Sequence, residues 1–165
     1  MKKIRLILVA LACMTFNMAS AQTSKEEAPI EEVIERLFKG MQAGDSAMVH
    51  SVFNQDITMA TVTRNKENAP VLFRESSLAG FLKAVGTPHK EVWYEEIWGL
   101  KILVDGDFAQ AWCDYAFYID KNFSHCGVDA FQLHKGKDGW KIFHLADTRR
   151  KTGCNIPQEI QDKHK

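Results

Sequence analysis

Val-Asp-Ala-Phe-Gln-Leu-His (128–134), Lys-Gly-Lys-Asp-Gly (135–139) and Trp-Lys-Ile-Phe-His-Leu-Ala-Asp-Thr-Arg (140–149) run on without a break, and their pattern decides the fold. Two β-rich runs flank a polar, Gly-containing loop, which is the signature of a hairpin. Upstream, Val92 to Val104 and Phe108 to Ile119 are two more long strands, joined by the turn pair Asp105-Gly106. A loop around Asp120-Lys121-Asn122 leads into the quoted hairpin. Four sequential strands with short connections predict an antiparallel meander.

Ahead of the meander the period changes to that of helices. Ile30, Val33, Ile34, Leu37, Phe38 and Met41 recur at helical spacing, with Pro29 in the first turn and Gly44 as the stop. Asp45 caps a short second helix carrying Met48, Val52 and Phe53. Residues 57–63 read as a strand, 64–68 as a turn and 71–73 as a short extended piece. Ser76 is the cap expected for a third helix with Leu78, Phe81, Leu82 and Val85 on its apolar face. Helices first and a long meander after give an α+β class, one helical layer of about three helices against one strongly curved antiparallel sheet.

The chain has 165 residues, 45% of them hydrophobic, with 21 Lys+Arg against 21 Asp+Glu and four Cys. The length fits one domain, read as 29–154 with a lead-in at 22–28 and a polar tail at 155–165. Balanced charge without a basic run argues against a nucleic-acid partner. Lys2, Lys3 and Arg5, the apolar run from Ile4 to Phe16 and Ala19-Ser20-Ala21 form a signal peptide with cleavage expected before Gln22. The rival readings are a lipoprotein attached at Cys13, or a membrane anchor, for which the run is short. Cleavage leaves 144 residues, 18 basic against 21 acidic, and three cysteines: Cys113, Cys126 and Cys154. The protein is then periplasmic or secreted, with no membrane span. No zinc-spaced Cys/His set, phosphate-cradling glycine motif or nucleophile elbow is present, so no metal or cofactor is expected.

The two first helices separated by Gly-Asp, and a meander ending in Asp-Gly-Trp-Lys-Ile, resemble the nuclear transport factor 2-like, or cystatin-like cone, superfamily. Trp112, Tyr115, His125-Cys126-Gly127-Val128-Asp129, Phe131, Leu133, Gly139-Trp140-Lys141-Ile142 and Asp147-Thr148-Arg149-Arg150 with Cys154 resemble a secreted bacterial group described as "putative lumazine-binding" and polyketide-cyclase-like. The resemblance covers about residues 28–154. It implies a cone with a pocket between sheet and helices, and dimerisation through the outer sheet face. Enzymes and non-enzymatic binding modules share this fold, so the fold does not settle the function.

Superfamily pockets place polar residues where Asp147 falls, so the resemblance assigns Phe143, Leu145, Asp147 and Arg149 to the pocket side. Trp140, Ile142, His144, Ala146 and Thr148 then lie on the other face. The hairpin sets Asp129 close to Leu145 and Asp147, with Phe131 on the same face. Asp129, Asp147 and Arg149 are the central constellation, able to hold a polar ligand group or to do acid–base work. The structural alternative is an ion pair that closes the sheet end. His125, ahead of the third meander strand, is a candidate general base or a loop histidine bonded to backbone. Tyr115 and Phe117 share a face with Cys113 and form an apolar wall with Tyr94 and Trp98. Trp112, Tyr118 and Trp140 are read as an outer aromatic row for the dimer. His144 reads as an interface or core residue and His134 as solvated; His50 and His89 point to nothing. Extrapolated pairing brings Cys126 to Cys154 as a disulfide and leaves Cys113 a buried thiol.

The leading expectation is an extracytoplasmic small-molecule-binding protein, a homodimer, holding its ligand through Tyr115, Asp129, Phe131, Asp147 and Arg149. The alternatives are a cofactor-independent lyase, isomerase or hydrolase using Asp129 or Asp147 with His125, and an interaction module without a ligand.

Overall fold

Helix α1 (Ala28–Ala43) forms where the apolar stripe demands it: Ile30, Ile34 and Leu37 are fully buried, and Gly44 (φ 65°) ends the helix in the left-handed region. Burying each of those side chains contributes roughly 1.5–3 kcal/mol. The Asp45 carboxylate accepts the Met48 N–H at 2.8 Å and starts α2 (Ser46–Val52). In this computed structural model residues 25–75 and 77–165 are described. The expected signal peptide and its cleavage point, Cys13 and the expected Ser76 cap lie outside the described residues.

After α2 come β1 (Phe53–Arg64), β2 (Pro70–Glu75), α3 (Leu78–Gly86), β3 (Trp93–Asp105), β4 (Phe108–Ile119), β5 (Asn122–Gly136) and β6 (Gly139–Thr148). The six strands make one curved, unclosed sheet in the order β2-β1-β6-β5-β4-β3. β3 to β6 form the expected antiparallel meander, but β1 pairs with β6 in parallel. The chain reaches the far edge through α3, and four meander strands return it running the same way as β1. The core lies between the inner face of this sheet and α1 to α3.

Two irregularities set which side chains face inward. Between Gln132 and Leu133 the β5–β6 register shifts, pairing Gln132 with His144 but Leu133 with Ile142, so Phe143 is the extra residue. An extra residue reverses the pleat phase. Trp140 and Ile142 are therefore core residues, together with Leu145 beyond the bulge, while His144 turns outward to the Thr58 hydroxyl at 2.7 Å. This corrects the single alternation read for 140–149. A second shift, between Trp98 and Lys101, splits β3.

The tail read as polar carries a fourth helix, α4 (Gln158–Lys163), laid on the outer face of the sheet. Ile160 is buried there, and His164 stacks on Tyr118 with ring centroids 3.9 Å apart. Tyr118 is thus covered and Trp140 sits in the core, so of the outer aromatic row only Trp112 stays exposed, at 47%. One apolar residue in a six-residue helix leaves no periodic stripe in the sequence, which is why the tail looks structureless.

A Cys126–Cys154 disulfide ties the approach to α4 onto β5 across a separation of 28 residues, and Cys113 is a buried free thiol. Closing a loop of that length removes enough unfolded-chain entropy to stabilise by about 3.5 kcal/mol. Cys154→Ser should lower the unfolding free energy by about that amount in a denaturant titration, and reductant should do the same to the unaltered chain and nothing to the variant.

Candidate functional site

A cavity of about 360 Å³ lies between the inner sheet face and the helices. Its walls are apolar: Phe38 from α1, Phe81 from α3, Trp93 from β3, Phe117 from β4, Phe131 from β5 and Leu145 from β6. The rings hold one another edge-on, Phe38 against Phe131 at 6.3 Å and Trp93 against Phe117 at 6.1 Å. Its polar end is formed by Thr61, Glu95, Tyr115, His125, Asp129, Asp147 and Arg149.

Asp147 is the hub of that end. Its Oδ1 accepts the Thr61 hydroxyl at 2.5 Å, and its Oδ2 accepts the Arg149 Nε–H at 2.7 Å. The Tyr115 hydroxyl lies 2.9 Å from the Thr148 carbonyl oxygen and 3.2 Å from Asp147 Oδ2, a forked donor. Gly127 makes this approach possible: a Cβ there would stand 1.7 Å from the Thr148 oxygen and 2.7 Å from the Tyr115 ring. Arg149 is half exposed at the mouth, with its Nε–H committed to Asp147.

Asp129 stands opposite Asp147 across the β5–β6 ladder, yet its situation is the reverse. It is 3% exposed, and no N–H or O–H donor of the described residues reaches its Oδ2. The polar group against its carboxyl is another acid, Glu95, and the two share a hydrogen bond. Carboxylates only accept, so that bond requires a proton on one of them. Burial pushes the Glu95 carboxyl up to about 7 and raises Asp129 well above the carboxylate range, and repulsion from Asp147 adds to both. This acid pair titrates as a unit.

His125 lies within β5, not ahead of it, because the strand begins at Asn122. Its Nδ1 is 3.0 Å from the Ser124 hydroxyl, and its ring stands edge-on to Tyr115 at 5.7 Å. Burial and then the Arg149 guanidinium pull its pKa down to about 4, so the imidazole is neutral at physiological pH and a weak base. Burial pushes the Cys113 thiol far up, and it is inert.

The structure thus brings Tyr115, His125, Asp129, Phe131, Asp147 and Arg149 to one cavity. Tyr94 and Trp98 do not join them: both pack on the outer face, against the cluster under α4. The cavity side of β3 is Trp93 and Glu95 instead. Both phases of that strand are apolar, Trp93 and Ile97 against Tyr94 and Trp98, so alternation alone does not choose between them. Each phase also carries one acid, Glu95 or Glu96, so the sequence offers no local signal that separates them. His134 is not simply solvated, since its Nε2 lies 2.7 Å from the Asn54 side-chain nitrogen.

A family model described as "Putative lumazine-binding" matches residues 25–144. No curated protein matches the chain. Among solved structures, an NTF2-like (nuclear transport factor 2-like) protein of unknown function from Shewanella baltica OS155 is similar at 17% identity and a TM-score of 0.58, over 79% of this chain and 100% of that one. An NTF2-like protein with a cystatin-like fold from Novosphingobium aromaticivorans aligns at 14% identity and TM-score 0.61, covering 77% of this chain and 83% of its own. A "Putative Scytalone Dehydratase" from the same organism aligns at 12% identity and TM-score 0.60, over 81% and 89%. At such identities the likeness shows the fold alone.

A carboxyl whose pKa is raised by folding favours the native state below its unfolded value, and that stabilisation is lost as pH rises through the folded value. For Glu95 the window runs from 4.5 to about 7. Asp129, raised as well, adds to this slope, and His125, lowered from 6.5 to about 4, opposes part of it. Glu95→Gln isolates the acid's contribution. The variant should match the parent near pH 4.5 and gain on it as pH rises through about 7, by up to about 3 kcal/mol, in thermal melts at stepped pH. A stability difference independent of pH would contradict the assigned protonation.

Proposed function

The chain belongs to the family described as "Putative lumazine-binding" within the NTF2-like superfamily, and from that premise we propose that it is an extracytoplasmic binding protein that holds a small, largely apolar molecule in the cavity between sheet and helices. The observation that carries the reading is Asp129: a buried carboxyl lining an aromatic-walled cavity beside another acid, its Oδ2 without a hydrogen-bond partner among the described residues. A structural ion pair satisfies itself, as Asp147 does with Thr61, Tyr115 and Arg149. Asp129 is left to be completed from outside. The cavity volume and its mostly apolar wall with convergent polar groups are those of small-molecule sites.

The disulfide supports an oxidising compartment, in keeping with the leader-like residues 1–21. Trp112 and Leu103, exposed on the outer sheet face, support a homodimer through that surface, beside the area that α4 occupies. The second reading, a cofactor-independent enzyme, draws on the same proton-sharing pair, since an acid with its pKa near neutrality suits proton transfer. Against it, His125 is a weak base. No hydrogen bond links its ring to either aspartate among the described residues.

Native mass spectrometry on protein from the extracytoplasmic fraction of its own host reads these claims together. The expected species is a dimer of chains beginning at Gln22, with one disulfide each and a small organic molecule retained. Leu145→Trp, which fills the cavity while leaving the polar end intact, should abolish retention. A parent chain that never carries or takes up a small molecule, or a filled-cavity variant that retains it equally, overturns the binding reading. Steady turnover of such a molecule in place of retention favours the enzyme.

A further inference from the structure

Resting on the binding reading above, we infer that the ligand is an organic cation with N–H donors, an amine or amidine on a flat apolar body, whose head group is received by Asp129 and Glu95.

The first support is the distribution of donors and acceptors. The Thr61 hydroxyl, the Tyr115 hydroxyl and the Arg149 Nε–H are all directed at Asp147 or at the Thr148 carbonyl oxygen. The buried groups left to be completed are acceptors, the carboxyls of Asp129 and Glu95, whereas the Arg149 Nη groups line the cavity at its half-exposed mouth. The molecule that completes them therefore brings the donors. A planar amidine or a primary ammonium meets carboxylates with short, charge-assisted hydrogen bonds.

Charge supplies the second. The groups facing Asp129 are Glu95 from β3, Cys113 and Tyr115 from β4, His125 from its own strand β5, Asp147 from β6 and Arg149 just past its end. α1, α3 and β1 contribute Leu37, Phe38, Met41, Phe81, Met59, Ala60 and Thr61 to the lining and no charge. Asp147 and Arg149 compensate each other, and the Asp129–Glu95 pair, with one proton between them, keeps one negative charge without a partner cation. Burial keeps the thiol and the phenol protonated and the imidazole neutral. An anion entering this end adds to an uncompensated excess of acid, whereas a cation relieves it. The walls agree, because Phe38, Phe81, Trp93, Phe117 and Phe131 offer ring faces and edges to a flat body, and ring faces attract a cation. A metal ion is a poorer occupant: no group of three or more acid, Cys or His side chains among the described residues is placed to hold one.

The proton follows from the same arrangement. Empty, the pair holds a hydrogen on one carboxyl. When the cation's N–H groups bond to both carboxylates, that O–H bond breaks and the proton leaves to solvent, so charge balances. Binding then releases a proton and tightens as pH rises.

Three isosteric probes separate the possibilities: benzamidine (cation), benzamide (neutral) and benzoate (anion), with naphthalene as a purely apolar control. Titration calorimetry and the Trp93 indole resonance should show benzamidine binding about tenfold or more tighter than benzamide, and benzoate not at all. Benzamidine affinity should rise between about pH 5 and about pH 8, with a buffer-dependent heat that reports proton release. Asp129→Asn should reduce benzamidine to the affinity of benzamide, and Glu95→Gln provides the same test if the first variant does not fold. Benzoate binding as tightly as benzamidine, or benzamidine binding without proton release, overturns the inference. Naphthalene binding with no preference for benzamidine overturns this inference and leaves the binding reading standing. Failure of all four probes counts against both.

Discussion

The Asp147 carboxylate is the interaction on which the rest of this structure depends. Three donors converge on it: Thr61 from β1, Tyr115 from β4 and Arg149 just past the end of β6. Hydrogen bonds to an ionised group are worth about 1.5–3 kcal/mol each. Here they also perform a geometric task, because β1 and β4 are not neighbours in the sheet. The Tyr115 ring reaches from β4 past β5 to the end of β6, over a glycine that cannot be replaced without a collision with Thr148. The sheet curves at its twist and bulges, and these bonds tie strands that far apart across one end of the hollow in which the cavity lies. Asp147 is thus satisfied within the fold, and Asp129 opposite it is the acid left over.

The fold was legible because it is written in periods. The α1 stripe, the Asp45 cap and the turn pairs of the meander are local signals that tertiary packing reinforces. What the periods could not carry were the places where they break. One inserted residue at Phe143 sends Trp140 and Ile142 to the core and His144 outward, although an uninterrupted alternation puts all three together. In β3 both phases are apolar because both faces are covered, one by the helices and the other by α4. Choosing the phase of Tyr94 and Trp98 misses Glu95, the acid that pairs with Asp129. The parallel pairing of β1 with β6 is a matter of long-range topology that local pattern does not encode.

α4 shows how little sequence is needed to close a surface. Its buried apolar contribution is essentially Ile160, and a helix of six residues has no stability of its own. It stays because the disulfide delivers the chain to that face and because Glu96 collects Lys163 at 2.7 Å and His164 at 3.1 Å. The covalent tie removes most of the entropy that so short a helix must otherwise lose on docking. The outer face is thereby divided between a region the chain covers itself and a region, around Trp112 and Leu103, that it leaves open.

The acid pair on the opposite face of the same strands is harder to explain by stability. Two carboxyls in an apolar cavity cost free energy at neutral pH, since one or both must hold a proton they would lose in water. A pair of hydrophobic or amide side chains of similar size would cost less, as replacements of buried charge generally show. Tyr115, Thr61 and Arg149 are within reach of the same end, yet all serve Asp147, so the fold has the donors to neutralise an acid and spends none on Asp129. A group that is costly, unassisted and turned toward a cavity is best understood as held ready for something that enters it. The penalty is then the part of the interaction that the empty protein cannot complete, and it disappears when donors arrive from a ligand.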